Sequence, residues 1–313
     1  MTGLILWSYD ASPFTQKALA MLGLKNLEWN WVETPMLPPK DDLVALTGGY
    51  RGTPVLQAGA DVFVDSQLIA RELERQAPAP SLFPGGAGLE LAMVKWSEAF
   101  FRTGLKLALA LLLPQWPDAF RRDRQYLFPD IDFGSVSDDF DHAKAQFRAH
   151  AALLEAQLAD GRSFLTGRSA GLADIQAHPF IWLARGAFPE VAAALLDGFA
   201  HIAAWEQRVK ALGEGRRVPI GAAEAHAIAR ATSPAALVRI DAHDAQGLTA
   251  GQLVEVAPDD TRRGAVRGHI VISTPDRIAV RRSHQTVGEV VVHFPRLGYR
   301  VTPVAKDCGL PRH

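Results

Sequence analysis

The chain has 313 residues, of which 48% are hydrophobic and 21% charged, with a formal net charge of −1. That balance excludes an overall field that would draw nucleic acid or an anionic membrane. A single cysteine, Cys308, excludes an internal disulfide framework and a cysteine-based zinc site.

Met1-Thr2-Gly3 leads straight into an apolar run, without the basic segment and long apolar core of a signal peptide. Leu4–Trp7 reads as a buried strand and Pro13–Leu22 as a helix. Leu27–Val32 alternates apolar and polar residues, which suits a strand. MLPPKDDLVAL carries the turn formers Pro38, Pro39 and Asp41-Asp42 ahead of a short helix. Val55–Gln57 and Val62–Val64 flank Gly59-Ala60, a β-hairpin pattern, and Asp65-Ser66 opens the helix SQLIARELERQ. The order to about residue 77 is β-α-β-(α)-β-β-α.

PAPSLFPGGAG, residues 78–88, is a linker by composition. Glu90 to about Ala211 is helical in pattern. Its most apolar run, Leu105–Leu113, is broken by Lys106 and stopped by Pro114, too short to span a bilayer. A second linker, with a short helical core, occupies 213–235. After Pro234 the period changes to two: LVEVAP, HIVIS, RIAVRRS, EVVVHF and YRVTPV are five short strands. They predict a compact all-β unit, a small barrel being one form open to it. The fold class is therefore α/β plus all-α plus small all-β, with domains at 1–80, 89–230 and 235–304, in a cytoplasmic protein.

Three short motifs carry chemistry. Ser12-Pro13-Phe14-Thr15 has a preferred N-cap followed by proline at the first helical position. The same geometry presents free N–H groups and partial positive charge, which favour a bound thiolate. Thr53-Pro54, just before a strand, is a candidate cis bond whose turn would leave the Thr53 backbone free to pair with an extended peptide. Asp65-Ser66 can grip a carboxylate with its helix-start N–H groups and accept from an ammonium with Asp65; alone it is a capping signal. Gly167-Arg168-Ser169-Ala170-Gly171 matches G-x-S-x-G, but it lies in a helical region rather than between a strand and a helix, so it reads as a loop. The ten histidines show no metal-ligand spacing.

Taken in order, LWSYDASPFTQKALAML, YRGTPVL, the hairpin and VDSQLI resemble the thioredoxin-like domain of glutathione transferases, and the helical stretch resembles their second domain. The start is similar to the serine-type classes; MLPPKDDL with YRGTPVL is similar to members that carry an extra C-terminal domain. The resemblance implies that Ser12 is catalytic and hydrogen-bonds the glutathione sulfur. It implies substrate-binding roles for Phe14, Lys40, Thr53, Pro54, Asp65 and Ser66: Thr53 pairs with the cysteinyl residue, Asp65 and Ser66 hold the γ-glutamyl end, and Lys40 meets the glycine carboxylate or is a solvated loop lysine. Tyr9 competes with Ser12 for the sulfur. The implied chemistry is addition or substitution by glutathione thiolate on a small hydrophobic electrophile, in a homodimer, with glutathione as co-substrate and no metal. The aromatic stretch at Trp96, Phe100 and Phe101 packs a core or lines the electrophile's pocket. The alternatives are a scaffold that catalyses nothing, and a glutathione-dependent disulfide reductase, against which the lack of a cysteine near Ser12 counts. The family's second domain carries a Ser/Thr-x-x-Asp capping box, whereas GLADIQAHP keeps Asp174 and puts Gly171 at the cap, which loses one of the two reciprocal bonds.

Overall fold

The computed structural model describes residues 3–304; Cys308 lies outside them. The N-terminal elements are β1 (Leu4–Ser8), α1 (Pro13–Leu24), β2 (Glu28–Glu33), α2 (Asp41–Thr47), β3 (Val55–Ala58), β4 (Asp61–Val64) and α3 (Ser66–Gln76). Six helices follow: α4 (Ala87–Leu112), α5 (Asp118–Leu127), α6 (Phe140–Leu158), α7 (Leu172–Ala187), α8 (Pro189–Leu196) and α9 (Ala200–Lys210). The chain continues with β5 (Arg216–Pro219), α10 (Ala222–Ala231), β6 (Arg239–Ile240), β7 (Leu253–Pro258), β8 (Val266–Ser273), β9 (Arg277–His284), β10 (Gly288–Pro295) and β11 (Tyr299–Pro303). Two compact units result. Among the described residues, one holds those up to Tyr9, Asn30–Ile69 and those from Val218; the other holds Asp10–Trp29 and Ala70–Arg217.

The first unit is built on a sheet ordered β11-β7-β8-β9-β10-β4-β3-β1-β2-β5, with β6 beside β8. β1 is buried at all five positions, as its unbroken apolar run requires of a central strand. It lies parallel to β2 and antiparallel to β3, and β3 turns back into β4. The C-terminal strands do not close on themselves. β10 runs parallel to β4 with Val292 opposite Val62, so they extend the N-terminal sheet instead of forming a separate barrel. The reason lies in β4: all four residues of DVFV are buried, and as an edge it would bare apolar side chains and unpaired backbone.

One sheet face is a continuous apolar layer from Ile5, Val55 and Val62 through Val292, Ile278 and Val280 to Val254 and Val301. Ala225 and Ala229 of α10 pack on it, so the stretch expected to be a linker at 213–235 contributes an edge strand and a core helix. A buried polar chain crosses this layer: Trp7 donates to Gln57 (2.8 Å), and Gln57 donates to the Ala225 carbonyl (2.8 Å). His293, expected on a sheet, is indeed in β10, where it is buried, stacks on Phe63 and lies 2.8 Å from Asp61.

The second unit centres on α7, buried along most of its length against α4. Its core includes Phe100, Leu107, Phe147, Leu154, Phe180 and Trp205. Lys25, just past α1, has a side chain with no exposure and donates to Glu74 (2.7 Å) and to the carbonyls of Ala77 (2.5 Å) and Pro80 (2.9 Å). Burial pushes the Glu74 carboxyl up, but the Leu82 N–H, Lys25 and Ser81 outweigh it and hold it below its ordinary value.

The start of α7 explains its glycine cap. Asp174 accepts from the Gly171 N–H (3.0 Å), the half of the capping box that survives, and also from Leu165 N–H (2.8 Å) and Trp205 Nε1 (2.7 Å). The other half is supplied from a distance. Glu90 of α4, fully buried, accepts from the Ala173 N–H at 2.6 Å and from Thr166 at 2.7 Å. A Cβ at position 171 would stand 2.7 Å from Glu90 Oε1 and 2.9 Å from the Pro84 ring. The carboxylate that replaces the usual cap side chain thus also excludes it.

Candidate functional site

In the first unit the expected ligand-binding segments come to one end of the sheet. Val55 pairs with Val64, so Thr53-Pro54 before β3 and Asp65-Ser66 after β4 are neighbours by register. Trp7 pairs with Val55 and Ser8 with Glu33, which brings the ends of β1 and β2 to the same side. The Thr53-Pro54 bond is cis, as are Pro38-Pro39 and Ala79-Pro80.

Asp65 has φ of 73°, a left-handed backbone that is uncommon outside glycine. Its carbonyl accepts from Leu68 (3.1 Å) and Ile69 (3.0 Å), and its Oδ1 accepts from the Gln67 N–H (3.0 Å). Ser66 opens α3 and is 8% exposed. Lys40, expected in solvent if it were a plain loop lysine, is instead buried, with Nζ 5.3 Å from the centre of the Tyr9 ring. Its aliphatic stem is covered and its charge is placed on an aromatic face.

Sequence reasoning did not reach the groups behind this end of the sheet. Tyr50 and Tyr299 are both buried, and their hydroxyls are 3.5 Å apart; that of Tyr299 is 3.3 Å from Asp65 Oδ2. Arg263 hydrogen-bonds Tyr50, and its backbone carbonyl accepts from the Arg51 N–H (2.7 Å). Burial pushes both phenols above their ordinary pKa, so they are protonated donors at neutral pH. Gly52 is required beside them: a Cβ there would sit 2.5 Å from the Tyr50 hydroxyl oxygen. Nothing local marks Tyr299 as part of this group, because it lies 234 residues from Asp65.

In the second unit, Ser12 caps α1. Its Oγ accepts from the Thr15 N–H (3.3 Å), its carbonyl accepts from Gln16 (3.1 Å), Pro13 follows it, and its residue exposure is 3%. The first turn carries no acidic residue to offset the positive end of the helix. Accepting from Thr15 leaves the hydroxyl's own proton to donate. Phe14 packs edge-on against Phe101 (4.9 Å between centroids), and Lys17 Nζ lies 4.8 Å from the Phe14 ring centre and 4.6 Å from that of Phe180. Phe100 turns into the core against Phe147, whereas Phe101 meets Phe14, Phe128 and Phe180. Among the described residues no group of three or more His, Cys, Asp or Glu is arranged to hold a metal, and no helix is long and apolar enough to cross a membrane.

This arrangement can be set beside known proteins. Residues 6–81 match the glutathione S-transferase N-terminal domain and residues 117–208 the C-terminal domain. A GST-like protein from Pseudomonas syringae is 32% identical over 97% of this chain and 100% of its own, with a TM-score of 0.80. The chain belongs to the glutathione S-transferase superfamily. The match to the P. syringae protein takes in the C-terminal strands as well as the two family domains. A tau class glutathione S-transferase from mango (18% identity, 67% of this chain and 89% of that one, TM-score 0.52) shares the fold over a smaller part. So does a β-etherase from Sphingobium sp. strain SYK-6 (20% identity, 67% and 96%, TM-score 0.52). No curated protein matches the chain in sequence. The N-terminal strands and helices are therefore a thioredoxin-like domain, and α4–α9 the family's helical domain, with an added C-terminal β region.

Proposed function

We propose that this glutathione transferase-like protein binds glutathione, ionises its thiol and directs the thiolate at a small hydrophobic electrophile. The observation that carries the reading is the pairing of Val55 with Val64, which sets the Thr53-Pro54 segment beside Asp65, with its left-handed backbone, and the buried Ser66. The Thr53 backbone N–H and carbonyl, just before β3, are assigned to pair with the cysteinyl residue as a short added strand. The Ser66 hydroxyl and the positive end of α3 suit the γ-glutamyl carboxylate, and the Asp65 carboxylate suits its ammonium. Lys40, set at the N-terminal end of α2, is the cation for the glycine carboxylate.

Ser12 is the residue assigned to the sulfur. A hydroxyl at an unneutralised helix start favours the anion over the thiol, which lowers the thiol's pKa. The sulfur then attacks the electrophilic carbon with its electron pair. In a substitution the leaving group departs with the pair from the broken bond; in an addition the pair moves onto the acceptor, which takes a proton from water. Preorganised donors and fixed orientation supply the acceleration. Phe14 and Phe101 carry the apolar side of the reading, as rings near the start of α1 suited to an aromatic or alkyl substrate. We assign the protein to the cytoplasm as a homodimer, the commonest symmetric assembly; light scattering tests the latter.

The functional test is Ser12→Ala. The variant is expected to bind glutathione within about fivefold of the unaltered protein, because one hydrogen bond is worth only about 1 kcal/mol. It should lose the ultraviolet absorbance of bound thiolate at neutral pH and regain it at higher pH. Undiminished thiolate absorbance in the variant would remove Ser12 from the role.

A further inference from the structure

The C-terminal strands bring the Tyr299 side chain to Asp65, one of the residues just assigned to the γ-glutamyl end of glutathione. Asp65 is held in an unfavourable left-handed backbone. One carboxylate oxygen is committed to the Gln67 N–H, which leaves Oδ2 to be oriented by whatever faces it. The Tyr299 hydroxyl faces it at 3.3 Å. Its single proton has two acceptors in reach, Asp65 Oδ2 and the Tyr50 oxygen at 3.5 Å, and the carboxylate is the nearer and the charged one.

Tyr299 is itself well fixed. It pairs with Pro258 at the start of β11, its ring packs on Phe294 (5.5 Å between centroids), and it is 8% exposed. The connection between β7 and β8 braces the same region. The Arg51 N–H donates to the Arg263 carbonyl, and Gly49 and Gly264 approach so closely that a Cβ on either would collide with backbone on the other side. Arg51 is two residues before Thr53. The added strands thus support both halves of the proposed ligand seat.

We propose that Tyr299 is a positioning residue for Asp65, so that the C-terminal β region completes the seat for the γ-glutamyl ammonium of glutathione. This rests on the glutathione reading above. The phenol holds the second carboxylate oxygen in one orientation and spares the ligand the cost of ordering it. The β region is then part of the glutathione site and not a module appended beside it.

Calorimetric titration with glutathione tests the assignment on the full chain and two variants. Tyr299→Phe keeps the ring and removes only the hydroxyl. Val301→Ala opens a cavity two residues further along β11, at a buried core position paired with Val256, without touching Asp65. The expected result is a Kd about threefold to tenfold weaker for Tyr299→Phe, the span of one hydrogen bond. Val301→Ala should bind as the unaltered chain does while unfolding at lower urea. Equal affinity of Tyr299→Phe and the unaltered chain would overturn the role, and so would equal weakening in both variants, which would mark a general loss of rigidity. Absence of binding by the unaltered protein at millimolar glutathione would instead remove the glutathione reading itself, and this role with it.

Discussion

Two buried titratable groups one turn apart on α7 should cancel each other's effect on stability, and removing either should reveal the other. Burial raises the Asp174 pKa from 3.8 to about 6, although the Leu165, Trp205 and Gly171 donors pull against it. Burial lowers that of His178 from 6.5 to about 4. For Asp174 the folded value lies above the unfolded one. Its contribution is fully present below pH 3.8 and is lost as pH rises to about 6, because only the native chain still holds the proton between those values. For His178 the folded value lies below. Its contribution is present above pH 6.5 and is lost as pH falls to about 4. Each shift is about two units, or ~3 kcal/mol at 1.36 kcal/mol per unit. The two slopes are opposite, so the pair leaves stability nearly level over the shared interval. Asp174→Asn should make stability rise with pH by about 3 kcal/mol relative to the unaltered chain between pH ~4 and ~6. His178→Gln should make it fall by a similar amount between pH ~4 and ~6.5. Both variants will also carry a constant loss, since an asparagine amide meets an N–H donor at Asp174. The slope is therefore the readout. Urea unfolding followed by tryptophan fluorescence, at fixed ionic strength and with m-values compared, supplies it. Profiles of both variants parallel to that of the unaltered chain would refute the reasoning.

Two further outcomes follow from the packing. Gly171→Ser restores the capping side chain that the family's pattern calls for, yet it should destabilise the protein by about 1–3 kcal/mol, because Glu90 and Pro84 occupy the space of its Cβ; a gain in urea midpoint would contradict that account. Ending the chain at Pro234 should abolish soluble expression, since β4 would become a bare apolar edge and the layer shared with Val280, Val290 and Val292 would open; a monodisperse, folded product would show that the strands are dispensable.

Much of the architecture was legible in the sequence because it is written in short-range correlations. An unbroken apolar run marked β1 as a central strand, and a Ser-Pro start marked the end of α1 that carries Ser12. The change to a period of two after Pro234 announced β7 through β11. The motif order pointed to the family, and the cis Thr53-Pro54 bond and the Asp65-Ser66 helix start lie where it implied. Local pattern also explains what was misjudged. RRVP reads as linker, and the AEAHAIARA stretch as no more than a short helical core within it, because neither is long or apolar enough to stand alone; each is ordered by a surface made elsewhere, β5 by β2 and α10 by the sheet face.

What only the tertiary structure decided are the long-range partners. Alternation shows which face of β10 is apolar but not that its edge joins β4, because pairing depends on which backbone edge is left unsatisfied once the chain has collapsed. Lys40 carries no local sign that Tyr9 will cover it, nor Gly171 that Glu90, 83 residues before Ala173, will take over the cap. Tyr299 and Asp65 meet for the same reason. Short-range periodicity encodes the elements, whereas the contacts that set charge, burial and orientation at the proposed site arise from close packing between segments far apart in the chain.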